Sequence, residues 1–432
     1  MIKRINEESA ILYTVFKWLL LSIATGSIVG AATAIFLKIL NWSTGKSAFF
    51  DYYFLFLPVS MVVSVLLVKH LAPDAEGHGT EKVIEAVHKR SGHIPLRVVP
   101  VKLAATIITI ASGGSAGKEG PCAQIGGGLA SYFAGLLRLD DYDRKKLVIC
   151  GISAGFSSVF GTPIAGAIFG VEVLYAGSIL YDVLLPSFIC GIISYHVSAF
   201  FGIQYLYHPV NIVPVFGPWI FLQVVAAGVF FGITAFLLIE ILHYMKKISS
   251  GLRLGAIPKA FLGGLCVSLP ALLFTRQYLG LGIGSIESFL SGNKSDWGAF
   301  ILKPIFTAVT LSFGGSGGII TPVFFTGAAA GSLFGSVFGL NIATFAALGF
   351  VAVLAGAANT PIAASIMAIE LFGPGIASYA AIACVVSFLV TGHRSVYPSQ
   401  ILAFRKSKLV DVKLGDEMEI IKPKVKFPNK RP

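Results

Sequence analysis

Lys118 and Glu119 are the only charged residues between Lys102 and Arg138, and they sit in the run Gly113-Gly114-Ser115-Ala116-Gly117-Lys118-Glu119-Gly120-Pro121. An ionisable group in so apolar a stretch is costly and marks a functional candidate. Glycines that run into a helix leave backbone N–H groups unpaired and aim the positive end of the helix dipole at one spot, which favours an anion. Because such donors carry no full countercharge, a small monovalent anion can be held firmly enough to enter and loosely enough to leave. A carboxylate at the same place could occupy the anion's position when ionised, then withdraw or take up a proton to admit it. Two plainer readings stand beside this one: the glycines let helices pack closely, and Glu119 pairs with Lys118 or lies in a loop at a membrane surface.

The run has a second copy. Gly314-Gly315-Ser316-Gly317-Gly318-Ile319-Ile320-Thr321-Pro322 aligns with it without a gap, Pro322 falling 201 residues after Pro121. Further on, Thr162-Pro163-Ile164-Ala165 followed by Glu172 matches Thr360-Pro361-Ile362-Ala363 followed by Glu370, now 198 residues apart and with nine residues from Pro to Glu in both copies. Two ordered coincidences imply a duplicated unit. Short apolar segments interrupted by Gly and Pro at matching places in two halves mark binding sites in transporters. Broken backbone at membrane depth is tolerated only where it lines a cavity or is buried in protein. The expected site is therefore where the two breaks meet.

The elements that must position these breaks are membrane spans. The chain is 55% hydrophobic, only 12% charged, and has a mean hydropathy of +0.81, against about 25% charged residues in soluble domains. No Lys or Arg occurs between Lys146 and Lys246, and Glu370 is the only charged residue between Lys303 and Arg394. Apolar segments are expected at roughly 10–40, 53–72, 99–112, 122–137, 147–175, 178–202, 211–243, 256–275, 299–313, 323–340, 345–372 and 374–391. The first is too long for a cleaved signal peptide and reads as a span. The net charge of +12 sits at the ends and in loops, which suits anionic lipid headgroups rather than nucleic acid and places both termini on the cytoplasmic side. The five cysteines, Cys122, Cys150, Cys190, Cys266 and Cys384, lie singly in apolar segments, so neither a disulfide framework nor a metal site is implied. There is no HExxH, GxSxG or P-loop pattern, so no enzyme and no cofactor are expected.

These residues resemble the CLC family of chloride channels and chloride/proton antiporters. Gly117-Lys118-Glu119-Gly120-Pro121 is similar to the family's G(K/R)EGP motif, and Gly318-Ile319-Ile320-Thr321-Pro322 to its GxFxP motif with Ile in place of Phe. Gly77-His78-Gly79-Thr80-Glu81 falls where the family has GSGIP, matching at the two glycines, and Tyr397-Pro398 sits where the family's pore tyrosine is expected. The resemblance spans about residues 20–405. It implies an all-α polytopic membrane protein with two inverted-topology repeats of full and broken helices. The transmembrane domain would be residues 1–405, with repeats at about 10–200 and 211–405. Residues 406–432 would form a short polar cytoplasmic tail, too short for a regulatory domain. A homodimer in the cell membrane, with one pore per subunit, is implied. So are specific roles: Glu119 as gate, the Ile319 and Ile320 amides holding the central chloride, the Tyr397 hydroxyl donating to it, and Gly117, Lys118, Gly318 and His78 around it. Unaided, Tyr397 reads as an interfacial belt tyrosine.

The departures bear on mechanism. His78 replaces a serine; its imidazole could donate N–H or, if protonated near its reference pKa of about 6.5, add charge and make anion affinity pH-sensitive. The plainer reading is a loop histidine facing water. Val173 stands where proton-coupled relatives carry a second glutamate, and valine carries no proton. Glu172 and its twin Glu370 read as buried acids accepting helix N-terminal amides. The expected function is chloride passage gated by Glu119, channel-like or weakly proton-coupled, with chloride/proton antiport as the alternative. A fluoride-specific transporter is disfavoured, since that branch resembles the family with Thr in place of Pro121 and usually lacks the pore tyrosine.

Overall fold

The computed structural model describes residues 2–209, 217–421 and 423–425. The expected boundary at 211 and the end of the tail lie outside the described residues. Sixteen helices fall into two runs of eight among the described residues. The first is α1 (Ile2–Ser47), α2 (Leu57–Leu71), α3 (Thr80–Lys89), α4 (Val98–Ala111), α5 (Glu119–Leu136), α6 (Asp141–Phe160), α7 (Pro163–Glu172) and α8 (Tyr181–Phe200). The second is α9 (Pro218–Gly251), α10 (Ala256–Leu273), α11 (Ile283–Leu290), α12 (Ala299–Ser312), α13 (Ile320–Val337), α14 (Ile342–Ala358), α15 (Pro361–Phe372) and α16 (Ala377–Val390). The chain is a nearly all-α, multi-pass membrane protein; among the described residues six helices are long and apolar enough to cross a bilayer.

Two expected segments, 147–175 and 345–372, are each two helices. Gly161, at φ +74°, ends α6 in the left-handed region, and Thr162 is extended ahead of Pro163, which opens α7. Asn359, at φ +55°, and Thr360-Pro361 repeat the device between α14 and α15. A residue before proline is pushed out of the helical region while proline suits the first helical position, so each run must bend although its hydropathy is unbroken. The short helices α3 and α11 went unexpected because they are not continuous apolar runs.

The two runs hold each other by reciprocal hydrogen bonds. Ser316 N donates to Thr109 Oγ1 at 3.1 Å, and Ser115 N to Thr310 Oγ1 at 3.2 Å. Thr109 and Thr310, like Ser115 and Ser316, are 201 residues apart. Contact of i with j and of j's twin with i's twin is what a two-fold relation produces. Small residues bring the backbones close: a Cβ on Gly126 would strike the Gly151 carbonyl, and one on Gly327 the Gly349 carbonyl. Rings fill the remaining space, with Phe156 stacked on Phe169 at 3.7 Å and Phe324 on Phe350 at 3.9 Å.

The start of the tail is not free. Strand β1 (Tyr175–Ala176) pairs in parallel with β2 (Ile401–Leu402). Ala176, Leu402, Val412 and Met418 share a small apolar cluster. Lys89 and Lys246 form ion pairs with Glu417 and Glu419, so α3, α9 and the tail meet at one end of the bundle.

Candidate functional site

The two glycine breaks meet directly. Gly117 N donates to Gly318 O and Gly318 N to Gly117 O, both at 2.6 Å, an isolated antiparallel bridge between the segments leading into α5 and α13. The bridge requires glycine, since a Cβ on Gly318 would lie 2.6 Å from Gly120 N and one on Gly117 2.5 Å from Glu119 Oε2. A third segment closes the site: a Cβ on Gly120 would run into the His78 carbonyl, and one on Gly79 into the Gly120 carbonyl. Three loops and two helix N-termini thus converge at one buried point.

Glu119 occupies that point. Its side chain is fully buried, and its carboxylate reaches across the bridge to the other repeat. Thr321 N donates to Oε2 at 3.0 Å and Thr321 Oγ1 to Oε1 at 2.5 Å. Lys118 is half-buried and acts electrostatically on Glu119, while the hydrogen bonds to the carboxylate come from Thr321. The Ile319 and Ile320 amides precede the Thr321 amide at the start of α13, where N–H groups have no intrahelical acceptor. Sequence reasoning missed Thr321. Its signal was a hydroxyl residue just before Pro322, where the first repeat has Gly120.

Tyr397 lies in the loop after α16, 0% exposed, its hydroxyl without a partner; full burial is incompatible with a belt tyrosine. His78 Nδ1 and Thr80 Oγ1 are likewise buried and unpartnered. Burial, then the nearby Lys102, push the His78 imidazole down to about 4, so it is neutral at physiological pH. That shift runs against the charge switch near 6.5 expected of it. Lys102 was missed although a lysine inside an apolar segment is a signal. It is fully buried in α4 and donates to the Ala75 and Gly77 carbonyls, holding the loop that carries His78. Its twin Lys303 donates to the Tyr278 and Gly280 carbonyls.

Val173 is fully buried just past α7. Its carbonyl accepts from Gln400 Nε2 at 2.8 Å, and its side chain offers no proton site. Glu172 and Glu370 do cap helices, reciprocally. Glu172 accepts the Ile362 and Ala363 amides at 3.1 and 2.8 Å, and Glu370 the Ile164 and Ala165 amides at 2.9 and 2.8 Å.

The family model for voltage gated chloride channels matches residues 59–392. The chain belongs to the CLC family. Among CLC relatives, a chloride/fluoride channel protein of Pseudomonas syringae pv. tomato is 37% identical over 401 residues, covering 91% of this chain and 88% of the relative. An H(+)/Cl(-) exchange transporter ClcA of Klebsiella pneumoniae is 24% identical, covering 82% and 80%. The crystal structure of a CLC-type fluoride/proton antiporter superposes with a TM-score of 0.86 at 28% identity, over 90% of this chain and 99% of that one. A slow cyanobacterial Cl-/H+ antiporter shares the CLC fold, with a TM-score of 0.75 at 22% identity over 87% and 94%.

Proposed function

We propose that this chain passes chloride through a passage at the Gly117–Gly318 bridge and that Glu119 is its gate. The observation that carries the reading is the Glu119 carboxylate bound by the Thr321 amide and hydroxyl. These are neutral donors at a helix N-terminus, the kind that would bind a halide. The carboxylate sits where the anion would sit, and either its withdrawal or its protonation vacates the place. The Ile319 and Ile320 amides and the Tyr397 hydroxyl complete the chloride site, with Gly117, Gly318, Lys118 and His78 around it. Residues 1–405 form the transporting unit, and it works as a homodimer with cytoplasmic termini.

Val173 favours a channel-like or weakly coupled passage; the exchange transporters among the relatives favour antiport as the second reading. Fluoride is a further candidate anion, because two of the relatives are named for it, although Pro121 and Tyr397 match the chloride pattern. Liposomes loaded with chloride or fluoride, followed for anion efflux and external pH, test the proposal. Chloride efflux that Glu119→Gln alters supports it, and liposomes that leak no faster than protein-free ones refute it.

A further inference from the structure

Four buried polar atoms without a hydrogen-bond partner belong to neighbouring residues on the tail side of Glu119: His78 Nδ1, Thr80 Oγ1, Glu81 Oε2 and Tyr397 Oη. Unsatisfied buried polar atoms are rare and call for an explanation. Glu81 is the ionisable one. It opens α3, a helix outside the membrane-spanning set, and its other carboxylate oxygen, Oε1, accepts from Ser399 N at 2.9 Å and Ser399 Oγ at 2.5 Å. Oε2 is left with no donor.

The surroundings of Glu81 have a direction. On one side, Tyr397 lies within electrostatic reach of both Glu81 and Glu119, with the Thr80 hydroxyl beside it. On the other, Glu85 of the same helix and Lys246 of α9 act on Glu81, while Lys82 and Lys102 bear on the adjacent His78. Lys246 is exposed and paired with Glu419, so this side opens toward water at the tail end of the bundle. Burial raises the Glu81 carboxyl to about 7, against the lowering effect of Ser399 and Lys246. A carboxyl near the operating pH loads and releases protons readily.

We propose that Glu81 is the proton-exchanging acid of this protein, taking a proton from water at the tail end onto Oε2 and passing it toward Glu119 by way of the Thr80 and Tyr397 hydroxyls, in place of the carboxyl absent at Val173. The step is a proton transfer between carboxylates and needs no other reactant. It rests on the second reading above, anion/proton antiport. A merely structural Glu81 would clamp the Tyr397 loop to α3 through Ser399, and the two roles separate by substitution. Glu81→Gln keeps an oxygen for Ser399 but carries no proton, whereas Ser399→Ala weakens the clamp and leaves the carboxyl.

The experiment records anion efflux and proton movement together in liposomes holding wild type, Glu81→Gln or Ser399→Ala. In wild type an anion gradient is expected to drive protons uphill. Glu81→Gln should conduct anion at the wild-type rate with proton flux reduced about a hundredfold, the lower end of what losing a positioned acid–base group costs, while Ser399→Ala keeps its proton flux. Wild-type proton flux in Glu81→Gln, equal loss in both variants, or anion efflux in wild type with no proton movement would each overturn the assignment while leaving anion transport standing. No anion efflux in wild type would overturn both.

Discussion

Glu119 and Thr321 meet across the internal repeat: a carboxylate from the first half is held by the backbone amide and hydroxyl of one threonine in the second. The carboxylate of the proposed gate is thereby held by two neutral donors. A hydrogen bond to a charged group contributes about 1.5–3 kcal/mol.

Thr321→Val removes the hydroxyl and keeps the amide and the shape. Anion efflux should rise by about tenfold, since each 1.4 kcal/mol off the latched state is a factor of about ten in its population. Rates equal to wild type in liposome efflux would show that the hydroxyl does not hold the gate.

Gly318→Ala places a methyl 2.6 Å from Gly120 N. The Gly117–Gly318 bridge must then open, and efflux is expected to fall to the background of empty liposomes while the protein still elutes as wild type does in detergent.

Burial, then Lys102, push the His78 imidazole down to about 4. Because its pKa is lowered, the proton is already lost well below pH 6. His78→Ser should therefore change anion affinity yet leave the pH profile of efflux between about 5.5 and 8 unaltered. A profile that flattens in this variant, measured across that range, would show that the imidazole does titrate there.

Glu172→Gln and Glu370→Gln each weaken a carboxylate cap on two amides. Either should lower the detergent melting temperature by about 1 °C, from roughly 1 kcal/mol of lost hydrogen bonding. The ratio of proton to anion flux should stay constant; a change in that ratio would assign these acids to transport.

How much of this was legible in the residues differs by feature. The glycine breaks and Glu119 were readable because few residue types fit their places: a close Gly117–Gly318 bridge leaves no room for a Cβ, and a lone acid in so apolar a run stands out. The splitting of 147–175 and 345–372 was hidden because Gly, Thr and Pro barely lower hydropathy. Thr321 was hidden because its partner is 202 residues away in the chain, and residue type alone does not report a pairing across a repeat. The tail looked free because its charges dominate its composition, yet Leu402, Val412 and Met418 suffice to dock it on Ala176.

The most direct test of the gate is chloride efflux from liposomes holding wild type and Glu119→Gln, followed from about pH 4.5 to pH 7.5. Wild-type efflux should rise as pH falls, because protonation frees the place the carboxylate holds, and the variant should be fast and flat across the range. A variant that follows the wild-type pH profile would show that Glu119 does not gate this protein.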